Sequence, residues 1–472
     1  MFEGMMYRRG RLAMPLLTGF RRAAARGALA MLGVTLGACS IFDTDVKNPT
    51  AVEESALGDP ASAAILANGL GASVTRALTS VYGPYSVASD ELTWVGSREH
   101  WGQLDAGDIS DPQNEYTNAA YPFTSEMRWL SDYTIARLEG FDAANRLRSR
   151  DDLGRTYVYA AIAYITIGDM YDDYVLTSDR TVIAAPIGEA NMTVAYDSAI
   201  GYLDRGLVIA QATSNTELRG QILALRARAK FSRALWQKLK PARTTPANPL
   251  VDDAGANADA TAALAVLSGD YRFRLTPTTA NTGTNNIGSE MNTRQEIRAG
   301  GDYVNPDPLR NNLTPIAGLP GIKLTDPISG APDPVIARAI NDCCRVSSTT
   351  QIPFTIISAR EMHLILAEAA LAQGNLTEVQ TRINIVRALD ALPAWDGVTP
   401  APLAMLMHER RVNLFLQGRR LHDLYRFGVD ADRWLPTSVA ARKACFFPVA
   451  TIERQSNPLA PQPATDRSAY CQ

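Results

Sequence analysis

Apolar residues recur along most of this chain at the three- and four-residue spacing of an α-helix. The spacing predicts helices over residues 59–82, 127–147, 158–170, 194–210, 219–239, 359–374 and 377–389. Asp59 and Pro60 form a typical helix start, since aspartate caps the first turn and proline is tolerated at its first position. Gly374 and Asn375 suit a helix end, and Thr377 is predicted to cap the next helix. The pattern therefore predicts a mainly α-helical fold.

Two stretches depart from this helical pattern. Residues 82–123 are rich in Gly, Pro, Asp and aromatic residues, and they are predicted to form loops. In residues 241–350, Pro, Gly, Asn and Thr dominate, which predicts irregular structure with short strands and one helix near 260–267. The predicted organisation is a helical core over 59–240 and 353–428, an irregular insert over 241–352 and a C-terminal tail over 429–472. Helix pairs with short turns indicate a tetratricopeptide-like core, although no clean 34-residue period is present.

The segment 408–428 is predicted to form a helix, a glycine turn and a second short helix. Each half carries an apolar stripe at i, i+3 and i+4, first Val412, Phe415 and Leu416, then Leu421, Leu424 and Tyr425. Gly418 suits the left-handed position that ends a helix. Asp423 and Arg426 lie one helical turn apart and are predicted to pair.

The N-terminal segment has the features of a secretory signal. Arg21, Arg22 and Arg26 precede an apolar run of small residues that ends in Leu36-Gly-Ala-Cys39. The run is too short to span a bilayer, and a cysteine directly after the cleavage site can carry lipid. We therefore expect residues 1–38 to be removed and Cys39 to be lipidated, with Met14 as an alternative start. A plain secreted protein with a chance cysteine is the alternative.

Charge and cysteine content limit the classes of partner. Without residues 1–38, which hold six Arg and one Glu, the chain has 40 basic and 48 acidic residues, a net charge of about −8. This acidic balance argues against a nucleic-acid partner.

Four cysteines remain beside Cys39, namely Cys343, Cys344, Cys445 and Cys471. An even number in an exported protein predicts disulfides, with three possible connectivities and free thiols as the alternative. The working expectation pairs Cys445 with Cys471, which would pin the C-terminal tail. Because the chain has no C-x-x-C and no H-E-x-x-H spacing, we expect no metal and no other cofactor.

The pattern E-R-R-x-x-L-x-x-x-G-x-R-x-x-D-L-x-R-x-G within 408–428 resembles the C-terminal signature of the SusD/RagB family. The matching residues are Glu409, Arg410, Arg411, Leu414, Gly418, Arg420, Asp423, Leu424, Arg426 and Gly428. Asn413 and Gln417 stand where the family usually has glutamates, so one or two ion pairs of the motif are expected to be missing. We interpret the motif as structural. The resemblance implies eight core helices in four tetratricopeptide-like pairs, with loops and small strands packed on one side.

Aromatic residues are concentrated in 82–133, which holds nine of them in 52 residues. Flat apolar rings with a polar edge suit the faces of sugars. The candidate ligand-binding residues are Trp94, Trp101, Tyr82, Tyr85, Tyr116 and Tyr121, with Tyr271 and Tyr303 as weaker candidates. The alternative is that these rings only fix the loops onto the helices.

Catalytic motifs are missing from the sequence. It has no G-x-S-x-G, no P-loop and no G-x-G-x-x-G, and its adjacent acidic pairs, such as those at 151–152 and 172–173, do not predict two carboxylates across one cleft. We therefore expect no enzyme activity, with an α/α-barrel glycosidase as the enzymatic alternative.

The family resemblance implies a surface-exposed outer-membrane lipoprotein, attached to the membrane through its lipid. Such a protein would bind oligosaccharide nutrients and deliver them to a SusC-like TonB-dependent transporter. Two alternatives stay open. One is a peptide-binding member of the same uptake system, and the other is a helical-repeat scaffold lipoprotein of the cell envelope.

Overall fold

A computed structural model describes residues 54–177, 182–240, 245–278, 285–305, 321–344 and 350–460. The helices are α1 (Glu54–Leu57), α2 (Ala63–Ala88), α3 (Glu99–Asp105), α4 (Glu115–Ala143), α5 (Arg150–Met170), α6 (Thr193–Ala212), α7 (Thr216–Leu239), α8 (Ala254–Leu264), α9 (Asn286–Gly288), α10 (Pro334–Cys343), α11 (Ala359–Ala372), α12 (Leu376–Ala388), α13 (Pro402–Asn413), α14 (Arg420–Phe427), α15 (Val439–Lys443) and α16 (Thr451–Ser456). Turns of 3-10 helix cover Pro60–Ser62 and Glu189–Asn191, and a π turn covers Ser289–Thr293. The strands are β1 (Leu92–Trp94), β2 (Arg272–Leu275), β3 (Ile297–Ala299) and β4 (Phe354–Ser358). The expected mainly α fold is confirmed.

The helical core is a stack in which each helix packs against the next. The order is α2, α4, α5, α6, α7, α8, α11 and α12, which makes four consecutive pairs within the described residues. This is the tetratricopeptide-like arrangement that the resemblance implies. The long helices pack because their apolar stripes are buried, as in α7, where Ile222, Leu225 and Ala229 have no exposed surface. Among the described residues, no helix is both long and apolar enough to cross a membrane.

Two small antiparallel sheets lie beside this stack. In one, β1 pairs with β3, and Trp94 is opposite Ile297. In the other, β2 pairs with β4, and the register shifts between Phe273 and Arg274. Both sheets join segments that are far apart in sequence, so they bring residues of 272–299 against the helical core.

The prediction that 82–123 forms loops is wrong at both ends of this segment, which are helical, and holds in part for 89–114, where turns flank β1 and α3. Helix α2 continues through Pro84 to Ala88, and α4 begins at Glu115 and contains Pro122. Proline costs a helix one hydrogen bond, but the apolar faces of both helices are buried, and this tertiary packing outweighs the local cost. Asn114 starts α4, since its side chain accepts a hydrogen bond from the Tyr116 N–H at 3.1 Å.

Smaller differences concern element ends and the irregular middle. The helix predicted near 260–267 is α8, which spans Ala254–Leu264, and α10 was not predicted. Asn375, not Thr377, caps α12, because its Oδ1 accepts from the Glu378 N–H at 3.2 Å.

The predicted glycine turn of the C-terminal motif lies between α13 and α14. Gly418 has φ +73°, and a Cβ there would lie 3.0 Å from Met170 Cε, so the position favours glycine on both counts. The preceding helix ends earlier than predicted, at Asn413, and Leu416 also adopts a positive φ of 57°. The Leu416 N–H donates to Glu91 Oε1 at 2.7 Å, which fixes this turn to the segment before β1.

A buried network of charges holds α11, α13 and α14 together. The predicted pair of Asp423 with Arg426 is confirmed at 2.9 Å, and Arg410 donates to the same carboxylate at 2.9 Å. Arg426 also pairs with Glu368 of α11, and all four side chains are buried. Burial alone would raise the pKa of Asp423, but Arg410 and Arg426 outweigh it and lower the pKa to about 2.

We expect Arg426→Ala to destabilise the protein by about 3–5 kcal/mol, because Glu368 would keep its charge in the core without its closest partner. The measurement is urea unfolding followed by circular dichroism. Arg233→Ala is the matched control, since Arg233 pairs with Asp197 at 2.6 Å where both side chains are partly exposed. The control should change stability by less than about 1 kcal/mol. Equal losses in the two variants would contradict a special role for the buried network.

Glu91 gives a second test, through pH. Burial raises its pKa from 4.5 to about 8. The folded protein therefore binds this proton more tightly than the unfolded chain, and stability should fall as pH rises from about 4.5 to 8, by up to about 1.4 kcal/mol per pH unit. Glu91→Gln, which mimics the protonated form, should flatten this decline, whereas Glu99→Gln on the exposed surface should not. Urea unfolding at pH 5, 6, 7 and 8 measures the slopes, and parallel slopes in wild type and Glu91→Gln would refute the assignment.

Candidate functional site

The structure separates the candidate aromatic residues by burial. Tyr82, Tyr85, Trp101 and Tyr121 have at most 1% of their surface exposed, and Tyr116 has 7%. Only Trp94 among the six primary candidates is half-buried, with part of its ring at the surface. The expectation that these residues sit in open loops is wrong, and ligand contact by the buried ones stays a prediction.

The buried rings have partners in the core. Tyr85 shares a hydrogen bond of 3.0 Å with Nδ1 of His422, and Tyr82 packs edge-on against Phe354 with 5.2 Å between centroids. Tyr121 lies 4.8 Å from the ring of Tyr174. These contacts explain why the aromatic-rich segment is ordered, since each ring completes the packing between helices.

The weaker candidates are also engaged. Tyr303 has no exposed surface, and its ring lies 5.0 Å from that of Phe415. Tyr271 is half-buried, and its hydroxyl donates to Glu217 at 3.0 Å. Both side chains therefore have structural contacts.

Hydrogen bonds from Trp94 and from the preceding Thr93 to Asp105 position the end of β1. Its N–H donates to Asp105 Oδ2 at 3.0 Å, and the Thr93 hydroxyl donates to the same oxygen at 2.8 Å. Burial raises the pKa of Asp105 to about 6, although these hydrogen bonds act to lower it. The Trp94 ring lies on α3 at Gly102, where a Cβ would come within 2.9 Å of the ring. Glycine at 102 therefore allows the ring to lie flat against the helix.

Trp101 and Tyr116 form a tight stack, with 3.7 Å between centroids and 18° between planes. The stack joins α3 to α4, and Trp101 immediately precedes Gly102, on which the Trp94 ring packs. Within the described residues, the indole N–H groups of Trp94 and Trp101 have no hydrogen-bond partner. Both indole nitrogens are buried, so these donors are not exposed to solvent.

The loop after Trp94 is held by a carboxylate from a distant segment. Glu296, which precedes β3, accepts from the N–H groups of Ser97 and Arg98 at 2.7 and 3.0 Å, and from the Ser97 hydroxyl at 3.1 Å. Burial acts to raise the pKa of Glu296, but these hydrogen bonds lower it below its ordinary value. This carboxylate therefore stays ionised and fixes the loop.

Glu290 adds a second carboxylate on the same side. It pairs with Arg294 at 2.7 Å and lies 3.8 Å from Arg98, and its Oε2 has no hydrogen-bond partner among the described residues. His100 Nδ1 accepts from the Glu115 N–H at 3.0 Å. A half-buried tryptophan is thus followed along the chain by a segment with charged and hydrogen-bonding groups. The sequence carried no signal for Glu290, Arg294 or Glu296, because they lie about 200 residues away along the chain.

The structure defines one of the disulfides that the sequence left open. Cys343 and Cys344, which are adjacent, form a disulfide with each other. Cys445 is also disulfide-bonded. Its expected partner Cys471 lies outside the described residues, as does Cys39, so these two assignments stay predictions.

One group of side chains has the composition of a metal site. Asp326, Asp333 and His408 place a ligand atom each within 4.8 Å of the others. These atoms already have partners, however, since Asp326 accepts from Arg387 at 2.8 Å and Asp333 shares a bond of 2.9 Å with His408. Asp333 also caps α10 through the Val335 N–H. The guanidinium of Arg387 supplies the positive charge that a metal would bring, so the group is explained as structural.

Comparison with known proteins agrees with this architecture of paired helices. The SusD family model matches residues 340–460, the part of the chain that carries the C-terminal motif. No curated protein matches the chain.

Several solved structures share the fold. A SusD superfamily protein from Bacteroides fragilis is 14% identical, with a TM-score of 0.57, over 86% of this chain and 99% of that one. A laminarin-binding SusD-like protein is 14% identical, with a TM-score of 0.56, over 86% and 99% of the two chains. A SusD superfamily protein from Bacteroides thetaiotaomicron is 13% identical, with a TM-score of 0.55, over 86% and 98%.

The fold defines a protein with a tetratricopeptide-like core and small sheets packed beside it. The SusD family model matches the C-terminal part of the chain, residues 340–460, and SusD superfamily structures share its fold, in agreement with the resemblance of the C-terminal motif.

Proposed function

We propose that this protein binds oligosaccharides without cleaving them, as a lipid-anchored outer-membrane protein that passes its ligand to a TonB-dependent transporter. The observation that carries the proposal is Trp94, a half-buried ring that precedes a loop and a helix start carrying Arg98 and His100, and this loop is held by Glu296. A flat ring packs on the C–H face of a sugar, while charged and hydrogen-bonding side chains nearby form hydrogen bonds with the hydroxyl groups of the sugar. The family match and the laminarin-binding neighbour support a glycan as the ligand.

The charge state of the two nearby carboxylates favours binding over hydrolysis. A retaining or inverting glycosidase needs one carboxylic acid that holds a proton near neutral pH. Glu296 has a pKa below its ordinary value. Burial raises the pKa of Asp105 to about 6, but this side chain is buried and already accepts hydrogen bonds from Thr93 and Trp94. Neither group is thus prepared to donate a proton to a leaving group.

Trp94→Ala should weaken glycan binding about five- to hundredfold, because it removes a stacking ring and its buried area. The measurement is isothermal titration calorimetry of the purified protein with a panel of neutral oligosaccharides, beginning with laminarin fragments. Circular dichroism should show an unchanged fold, since the ring lies on the surface of α3.

Trp129→Ala is the matched control, because Trp129 is also half-buried and stacks on Tyr133 with 5.1 Å between centroids. It lies on α4, outside the Trp94 loop, and its loss should leave the dissociation constant unchanged. Unchanged affinity in Trp94→Ala would place the ligand elsewhere. Shortened glycan products after incubation would rule out binding without turnover.

The lipid anchor has its own test. Leu36-Gly-Ala-Cys39 follows an apolar signal core, so the mature chain should begin at an acylated Cys39. Mass spectrometry of the N-terminal peptide from membranes measures this directly. Cys39→Ala should release the protein from the membrane fraction, whereas Cys445→Ala should not. A mature chain that begins at another residue would contradict the assignment.

A further inference from the structure

A second cavity lies away from the Trp94 loop, between β2, β4, α10 and the turn after α13. It encloses about 130 Å³, and its apolar wall includes Val335, Ile352, Val412 and Phe415. It opens into an outer cleft of about 410 Å³, and the described residues that line this cleft are all charged, Asp270, Arg272, Arg274, Arg338 and Asp342. We call the cavity and its outer part together the arginine cleft. Four residues, Arg272, Arg274, Arg338 and Asp342, line both parts.

The charges of the arginine cleft do not cancel. Arg272 pairs with Asp270 at 3.0 Å, and the same carboxylate is held by the buried Arg360 at 2.7 Å. Arg338 and Arg360 share Asp390.

Two charged side chains of the arginine cleft take no part in these ion pairs. Among the described residues, Arg274 and Asp342 have no ion pair, and both are exposed. Counting the four arginines against Asp270, Asp342 and Asp390 leaves one excess positive charge. The planar donor fork of Arg274 is therefore free to hold a carboxylate with two parallel hydrogen bonds.

Gln417 supplies an unused acceptor in the wall of the cavity. Its side chain is 6% exposed, and its Oε1 has no hydrogen-bond partner among the described residues. The orientation of the amide is fixed, because Nε2 donates to the Asn413 carbonyl oxygen at 2.8 Å, which only a donor can satisfy. A buried acceptor without a donor is costly, and a ligand hydroxyl would satisfy it.

Asn413, whose carbonyl oxygen accepts this hydrogen bond from Gln417, is itself held by two side-chain hydrogen bonds. Its Nδ2 donates to Glu409 Oε2 at 2.9 Å, and its Oδ1 accepts from Arg360 at 2.8 Å. These contacts hold Gln417 in place in the wall of the cavity.

From these features we infer that the arginine cleft binds a uronic acid residue of an acidic glycan. Such a residue carries a carboxylate for Arg274, hydroxyls for Gln417 and a C–H face for the Phe415 side of the cavity. The inference rests on the proposed function, since it takes a glycan as ligand, but it assigns a second site and a charge class to it.

The test is isothermal titration calorimetry of the purified protein with oligogalacturonides of four to six residues, and with the same oligosaccharides as methyl esters. The acid form should bind and the ester should bind at least about tenfold more weakly, because esterification removes the charge that Arg274 holds. Binding of the acid should also weaken as salt rises, since the cleft is open to solvent.

Arg274→Ala should raise the dissociation constant for the acid about ten- to hundredfold. Arg274→Lys, which keeps the charge but loses the planar fork, should retain part of the affinity. Arg148→Ala is the control, because Arg148 is an exposed arginine outside the cleft. Gln417→Leu should weaken both forms of the ligand, since it removes the acceptor for a hydroxyl and not for the charge.

Equal affinity for acid and ester, or an unchanged affinity in Arg274→Ala, would overturn the inference. If Trp94→Ala abolishes binding of the acid and Arg274→Ala does not, the cleft is excluded while the proposed function stands. If neutral glycans bind at Trp94 and no uronate binds, only the present inference fails. If no glycan of either kind binds, both proposals fall.

Discussion

The structure depends on a set of buried arginine–carboxylate pairs that fasten the C-terminal motif to the rest of the chain. Arg426 and Arg410 share Asp423, and Arg426 reaches Glu368 of α11. Glu368 in turn accepts from the Val251 N–H at 2.8 Å. Charges buried to this degree are stable only when paired, so each pair fixes one relative position of the elements that carry it. The motif thereby holds the last helix pair and the segment before α8 in one arrangement.

The same C-terminal motif also contacts the segment directly before β1, the strand that ends in Trp94. Arg420 binds the Asp90 carboxylate at 2.6 and 2.7 Å, and Leu416 donates to the neighbouring Glu91. Strand β1 begins at the next residue and ends in Trp94, so the motif anchors the segment that presents the ring. The motif therefore helps to position the segment that carries Trp94.

Much of the fold could be predicted from the sequence. The wrong predictions have a common cause, which is tertiary packing between residues far apart in the chain. Helices α6, α7 and α11 were predicted within a few residues, because their apolar stripes are periodic. The pair of Asp423 with Arg426 was predictable because it spans one turn, whereas the contact of Arg420 with Asp90 joins residues that sequence spacing cannot relate. The aromatic region was mispredicted because Pro84 and Pro122 break helices locally, while burial of Tyr82, Tyr85 and Tyr121 stabilises them. Of the candidate rings, the sequence could not tell which would be partly exposed, and Trp94 on β1 is half-buried whereas Trp101 on α3 is fully buried.

Asn413 and Gln417, which stand where the family usually has glutamates, belong both to the C-terminal motif and to the wall of the arginine cleft. Asn413 still binds Arg360, whose charge is met by Asp270 and Asp390, so the amide is sufficient at that position. The Gln417 Oε1 has no such partner among the described residues, and the residue lines a cavity with excess positive charge at its mouth. A glutamate there would add a negative charge beside the site where Arg274 is free. With glutamine the cavity wall keeps an acceptor for a hydroxyl and leaves the positive charge of the cleft uncompensated. The departure from the family pattern is thus the feature that would give this chain a preference for acidic sugars.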